Sequence, residues 1–184
     1  MHIKNTPKQY GLVSILLHWL TAITIIGLFA LGLYMVELDY YDPWYKKGPD
    51  IHKSIGLLLL AVFIIRAGWR LFTNAPKPLE THQAWERLLA HLTHITLYLL
   101  ILLVIFSGYL ISTADGRSVS VFGWFEVPAL ITGIDQLESY AGAVHYYLAF
   151  ILIGLASLHG LAAIKHHVLD KDDTLRRMLG TAKK

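Results

Sequence analysis

Two histidines stand at the ends of the uncharged run HYYLAFILIGLASLH, and imidazole nitrogens are common ligands of metal ions. His145 and His159 are 14 residues apart. At about 100° per residue this spacing puts both imidazoles on nearly the same side of a helix, about 21 Å apart along its axis. One helix face that carries two nitrogen ligands at two depths predicts two binding sites, one above the other.

The composition limits what such sites could hold. The chain has 184 residues, of which 55% are hydrophobic and 16% are charged, and its mean hydropathy is +0.49. This balance is typical of a membrane protein rather than of a soluble domain. The chain has no cysteine, which excludes disulfides, iron–sulfur clusters, thiolate metal sites and haem bound through thioethers. A metal or cofactor must therefore be held by nitrogen or oxygen atoms, and ten histidines are available.

Long runs without charge predict the helices that position these histidines. About 20 apolar residues cross the hydrocarbon core of a bilayer as a helix. The second predicted span has charges near its ends, Lys53 at one and Arg66 and Arg70 at the other, but long cationic side chains can extend to the interface. The four predicted spans are residues 13–36, 51–72, 88–112 and 140–164.

The segments that join the spans alternate in the sign of their net charge. The first segment, the connection between the second and third spans, and the tail are positive, whereas the other two connections are negative. Because Lys and Arg favour the cytoplasmic side, both termini are predicted to be cytoplasmic. We predict an all-α membrane protein, a four-transmembrane-helix bundle with one domain over residues 1–184. The net charge of +3 reflects this topology, so we predict contact with membrane lipid and not with nucleic acid.

The depth of each histidine predicts its partner. His18 lies near the cytoplasmic start of the first span and His52 at the outer start of the second. The fourth helix enters from outside, so depth pairs His52 with His145 and His18 with His159. Two imidazoles on opposite sides of a porphyrin would hold a six-coordinate b-type haem. Neither iron would have an open position, which predicts outer-sphere electron transfer through two haems across the bilayer.

His91 and His94 are three residues apart on the third span, on one face at the cytoplasmic level. They compete with His18 as the partner of His159. Two other roles are open: hydrogen bonds to a haem propionate or a quinone head group, with a proton relay, and contact with lipid head groups.

Arg66 follows His52 by 14 residues and repeats the spacing of the fourth span with a cation in place of the second ligand. A guanidinium at this level would pair with a propionate, or it would anchor the helix end on the cytoplasmic side. Near the C-terminus, HHVLDKDDTLRRM is interpreted as a solvated helix end. His166 and His167 alone would lack further ligands for a metal ion, so the sequence predicts no metal site there.

Between the third and fourth spans, residues 113–139 are predicted to form a loop broken by glycines and Pro128. Its segment VFGWFEVPALI is predicted to anchor in the outer interface through its aromatic side chains.

Several motifs in order along the chain resemble those of the bacterial cytochrome b561 family and, more distantly, the cytochrome b subunits of membrane hydrogenases and formate dehydrogenases. The resemblance implies a four-helix bundle in the bacterial inner membrane, two non-covalent haem b groups with axial ligands His18, His52, His145 and His159, and ubiquinone as an electron partner. One branch of the family looks like superoxide oxidase, which passes electrons from superoxide at the outer face to ubiquinone. The motifs are SILLHWL, HKSIG, RAGWRL, HLTHITLYLL, SGYLISTADG, the His145 and His159 pair, and HHVLDKDDTLRRM.

Three functions are compatible with these features. The first is an oxidoreductase of the respiratory chain that carries electrons between an outer-face donor, such as superoxide, and membrane quinone. The second is an electron-transfer membrane anchor for a separate periplasmic or membrane redox partner, without its own small-molecule substrate. The third is a transporter whose histidines move a metal ion, and the lack of carboxylates within the spans counts against it.

Overall fold

Four long helices account for most of the chain. The computed structural model describes residues 2–182. All four long helices have the length and composition needed to cross a membrane, so the predicted all-α fold with four spans is confirmed. The helices are α1 (Leu12–Met35), α2 (Trp44–Phe72), α3 (Ala84–Thr113) and α4 (Leu137–Val168), followed by the short α5 (Thr174–Leu179).

Three of the helices extend clearly beyond the predicted spans. The largest difference is at α2, which begins at Trp44 and includes Lys46, Lys47 and Pro49. Runs without charge mark the part of a helix that hydrocarbon surrounds, whereas the helix itself can continue among the charged head groups. The sequence therefore predicted the crossing segments and not the helix ends.

The helix surfaces match a hydrocarbon environment. Ile23, Ile26 and Ile64 are each about 60% exposed or more on the isolated chain. Hydroxyl groups inside the helices bond to their own backbone, as when Thr21 Oγ1 donates to the Leu17 carbonyl at 2.6 Å. A bilayer requires apolar side chains on the outer surface of the helices and hydrogen-bonded polar groups inside.

The chain forms two compact units, and each long helix contributes to both. The terminal unit comprises the described parts of Met1–Ala22, Val62–Tyr98 and Gly154–Lys184. The central unit comprises Ile23–Ala61 and Leu99–Ile153. The organisation of residues 1–184 as one functional domain stays a prediction.

Hydrogen bonds from side chains to backbone carbonyls connect distant segments of the terminal unit. The Asn5 side-chain amide donates to the Asn74 carbonyl at 3.1 Å and links the N-terminal segment to the loop after α2. The Trp19 indole N–H donates to the Met178 carbonyl at 2.8 Å and holds α5 against α1. These contacts give the terminal unit an ordered cap built from three distant parts of the sequence.

A small β-hairpin in the central unit replaces part of the loop predicted over residues 113–139. Its strands are β1 (Val119–Val121) and β2 (Phe125–Val127), with Val121 opposite Phe125. The turn uses positive φ angles at Phe122 (50°) and Gly123 (73°), which suits the twist of an antiparallel pair. Three-residue strands are too short to produce an alternating pattern, so the sequence did not predict them.

One serine of α2 fastens this hairpin. The Phe122 backbone N–H donates to Ser54 Oγ at 3.1 Å, and Ser54 Oγ lies 3.4 Å from the Ser120 carbonyl. Ser54 is buried and Val121 is fully buried, while Trp124 at the tip is exposed. The hairpin therefore packs against α2 at Ser54, two residues beyond His52, and its aromatic tip is exposed. The predicted interfacial role of that tip stays a prediction.

Candidate haem sites

In the central unit, His52 and His145 face each other across a gap. Their ring centroids are 6.1 Å apart and their planes are inclined by 72°. An imidazole nitrogen binds a metal ion at about 2 Å, so two imidazoles on opposite sides of one ion have ring centroids about 6.3 Å apart. The separation therefore matches two axial ligands of one iron, and the structure brings together the pair that depth predicted.

The remaining ring nitrogens of this pair also suit metal binding. His145 Nδ1 lies 2.9 Å from the Val104 carbonyl oxygen and 3.3 Å from Ser107 Oγ. Because a carbonyl can only accept, Nδ1 carries the proton and the Nε2 lone pair is free for a metal ion, which is the usual arrangement of a ligating histidine. His52 Nδ1 is buried and has no hydrogen-bond partner among the described residues.

Glycine at position 108 allows the His145 imidazole to occupy its position, whereas a Cβ atom at Gly32 would make an ordinary contact with His52. A Cβ atom at Gly108 would lie 3.0 Å from His145 Cε1, and one at Gly32 would lie 3.5 Å from His52 Cε1. The Gly108 distance is shorter than normal side-chain contacts, so a side chain there would displace the ring. The close approach of α3 to His145 thus depends on Gly108.

A cavity of about 580 Å³ adjoins both histidines, and its lining is mainly apolar. This volume is in the range of sites that hold a cofactor or ligand, about 300 to 1,000 Å³. Gly56 and Gly142 lie on its wall, and a Cβ atom at either would meet nothing within 4 Å, which leaves the wall open for a flat macrocycle. Opposed imidazoles beside such a cavity fit a b-type haem.

Charged side chains also line this cavity. Lys53 and Arg117 contribute positive charge, and Asp115 and Glu138 contribute negative charge. Arg117 donates to Asp115 Oδ2 through Nε at 2.6 Å, and this hydrogen bond lowers the pKa of the Asp115 carboxyl below its usual value. Two cations and two carboxylates leave the charged part of the lining close to neutral.

The terminal unit contains the second predicted pair. The ring centroids of His18 and His159 are 6.4 Å apart, with planes inclined by 66°, which again matches two ligands on opposite sides of one iron. His94 is closer to His159, at 5.1 Å between centroids. That distance is too short for an iron between the two rings, so the geometry favours His18 over His94 as the opposing ligand.

Arg66 also belongs to this second site. Its Nη2 lies 3.1 Å from His18 Nδ1, and its Cζ lies 5.3 Å from the Tyr98 ring centroid. A guanidinium can only donate, so His18 Nδ1 accepts this hydrogen bond and the proton of a neutral ring is on Nε2. Binding of iron through Nε2 would move that proton, and Arg66 would then be released from Nδ1.

Of the two histidines predicted on the third span, one lies at the second histidine pair and the other does not. His94 touches His159, as described, whereas His91 is exposed on α3 one turn earlier. The sequence missed a different group: His82, in the loop before α3, lies beside His166 and Asp172. His82 and Asp172 are 90 residues apart in the chain, so no local spacing could have indicated that His82 joins Asp172, although Asp172 follows His166 by six residues.

Comparisons with known proteins show the family to which the chain belongs. A profile of the family described as "Prokaryotic cytochrome b561" matches residues 9–181. "Cytochrome b561 homolog 2" of Escherichia coli (strain K12) is 51% identical over 180 residues, which cover 98% of this chain and 96% of that protein. "Probable superoxide oxidase CybB" of Yersinia pestis is 31% identical over 173 residues, which cover 94% of this chain and 96% of that protein. The chain therefore belongs to the prokaryotic cytochrome b561 family, multi-pass bacterial membrane proteins that transfer electrons with haem b.

Proposed function

We propose that this protein is a di-haem b-type cytochrome of the bacterial inner membrane that carries electrons from a donor at the outer face to membrane quinone. The observation that carries the proposal is the repeated geometry of the histidine pairs. One pair in each unit has ring centroids 6.1 Å or 6.4 Å apart, the separation expected for two ligands on opposite sides of one iron.

In this proposal His52 and His145 hold the haem on the donor side, and His18 and His159 hold the other. Each haem would supply reversible one-electron transfer at its iron. The two histidines of each pair would hold the haem iron from both sides, so that no substrate would bind to the metal itself. Donor and acceptor must then exchange electrons at the edge of each site, without binding to iron.

We propose superoxide as the donor, and the support is the name of the Yersinia pestis relative, which is 31% identical over 94% of this chain. Oxidation of two superoxide anions to two dioxygen molecules releases two electrons, and one ubiquinone takes up two electrons and two protons to form the quinol. Lys53 and Arg117 are balanced by Asp115 and Glu138 around the donor-side cavity. We therefore expect the rate with superoxide to depend only weakly on ionic strength.

At the quinone end, we propose that Arg66, His91 and His94 contact the quinone head group or a haem propionate. Arg66 and His94 already lie beside the His18 and His159 pair. An imidazole can both donate and accept a proton, and we propose that His91 and His94 relay the protons that quinone reduction consumes.

Stopped-flow absorbance of the purified, haem-loaded protein tests the donor and the acceptor together. We expect superoxide to reduce the haem, added ubiquinone to reoxidise it, and superoxide dismutase to abolish the reduction. Reduction by quinol but not by superoxide would show that another donor is used. Reduction by neither would favour the role of membrane anchor for a redox partner.

A further inference from the structure

A second group of metal-binding side chains lies in the terminal unit, apart from the histidines assigned to haem. Asp172 Oδ2 is 3.1 Å from His82 Nε2 and 3.1 Å from His166 Nδ1. These three ligand atoms all lie within 4.8 Å of one another. Two imidazole nitrogens and a carboxylate oxygen thus converge on one point.

The two imidazoles have the relative position of neighbouring ligands. Their ring centroids are 4.6 Å apart. Two imidazoles at adjacent positions of one metal ion have centroids about 4.5 to 5 Å apart, given metal–nitrogen bonds of about 2 Å. His82 and His166 therefore differ from the haem pairs, whose larger separation suits opposite positions.

Further oxygen ligands are within reach of the same point. Asp170 Oδ2 lies 2.8 Å from His166 Nδ1, and Glu86, His166 and Asp170 form a second group whose ligand atoms lie within 4.8 Å of one another. A cavity of about 180 Å³ lies among these side chains. The cluster thus offers three to four ligands and space for an ion.

The charge of the cluster suits a divalent cation. Its lining contains the carboxylates of Glu86, Asp170 and Asp172 and the ammonium of Lys165, so three negative charges and one positive charge leave a net charge of −2. Lys165 Nζ lies 3.1 Å from Glu86 Oε1 and 2.7 Å from Asp170 Oδ2. One divalent cation would neutralise the net charge of −2 that remains after Lys165 is counted.

Asp172 is held in position for this role. Its side chain is 5% exposed, and its Oδ1 accepts the Thr174 backbone N–H at 2.8 Å, which directs Oδ2 towards the histidines. A buried, oriented carboxylate is a typical metal ligand with its outer support in place.

We propose that His82, His166 and Asp172 bind one divalent transition-metal ion of the zinc class, with Asp170 or Glu86 as a further ligand. Mixed imidazole and carboxylate ligands favour zinc and its neighbours over calcium or magnesium. The ion would connect the loop before α3 to the end of α4 and to the segment before α5. The sequence predicted no metal site at His166 and His167, and this prediction overlooked Asp172, six residues after His166, as well as the distant His82.

Zinc titration of the haem-loaded protein, with its affinity tag removed and after dialysis against a chelator, tests this site. We expect one zinc ion per chain, bound at least about 10-fold more weakly by His82→Gln and by Asp172→Asn. His2→Gln is the matched control, because His2 is an exposed histidine outside the cluster, and its affinity should equal that of the unmodified protein. The haem spectrum of each variant reports whether it is folded.

X-ray absorption at the zinc edge provides a readout that does not depend on variants or on electron transfer. We expect a shell of nitrogen and oxygen atoms with scattering from two imidazoles. Failure of the unmodified protein to bind zinc, a shell without two imidazoles, or equal zinc affinity in all three variants would overturn the proposal. None of these results would alter the assignment of the haem ligands.

Discussion

At the scale of single residues, the two proposed haem sites differ in how the second nitrogen of an imidazole is held. His145 Nδ1 donates to the Val104 carbonyl, which leaves Nε2 ready to bind iron. His18 Nδ1 accepts from Arg66, so that ring must change its tautomer and its partner when iron binds. Of these two rings, His145 is therefore the better prepared to bind iron through Nε2.

Gly108→Ala should weaken haem binding at the donor-side site selectively. The added methyl group would lie 3.0 Å from His145 Cε1, and overpacking of this kind costs about 1 to 3 kcal/mol, or about 5- to 150-fold in affinity. Gly68→Ala is the control, because a Cβ atom there meets nothing within 4 Å. Haem titration of each variant measures the effect, and equal affinities in both would contradict the role of Gly108.

Arg66→Gln should lower the reduction potential of the haem held by His18 and His159. A nearby cation favours the reduced iron, which carries one positive charge fewer, and a tenfold change in a one-electron equilibrium corresponds to about 59 mV. We expect a shift on the order of 50 mV, a smaller one in Arg66→Lys, and little in Arg70→Gln. Redox titration with optical detection measures it, and a shift confined to the other haem would rule out this placement of Arg66.

At the scale of elements, the sequence predicted the membrane-spanning helices but missed the elements that depend on a few contacts between distant residues. The four spans were predicted from hydrocarbon thickness and charge, and the pairing of their histidines was predicted from depth. The hairpin of β1 and β2 depends on Ser54 in a different helix, and α5 is fastened by Trp19. The metal cluster likewise joins His82 to Asp172 across 90 residues, which no helical or strand periodicity encodes.

Ser54→Ala should loosen the hairpin. The Phe122 N–H would lose its acceptor in a part-buried hydrogen bond, and such a bond contributes about 0.5 to 1.5 kcal/mol. Hydrogen exchange of the Phe122 amide should therefore be about 2- to 13-fold faster. Ser118→Ala is the control, since the Ser118 hydroxyl bonds to the exposed Glu126 side chain and not to the Phe122 amide, which bonds to Ser54. Unchanged Phe122 exchange in Ser54→Ala would mean that other contacts hold the hairpin.

At the scale of the whole molecule, charge distribution predicts orientation in the membrane. The positive first and last segments favour the cytoplasm, so green fluorescent protein fused to the C-terminus should fluoresce and alkaline phosphatase fused there should be inactive. Reporters inserted after residue 115 should give the opposite pattern. An active phosphatase at the C-terminus would reverse the assignment of the donor and quinone sides.

The central claim is that two haems are held by two separate histidine pairs. Haem content and reduced-minus-oxidised spectra of the purified protein and its four single histidine-to-alanine variants test it most directly. We predict two haems in the unmodified chain, loss of the same haem from the His52 and His145 variants, and loss of the other from the His18 and His159 variants. A single haem in the unmodified chain, or loss of the same haem from the His52 and His159 variants, would contradict the account.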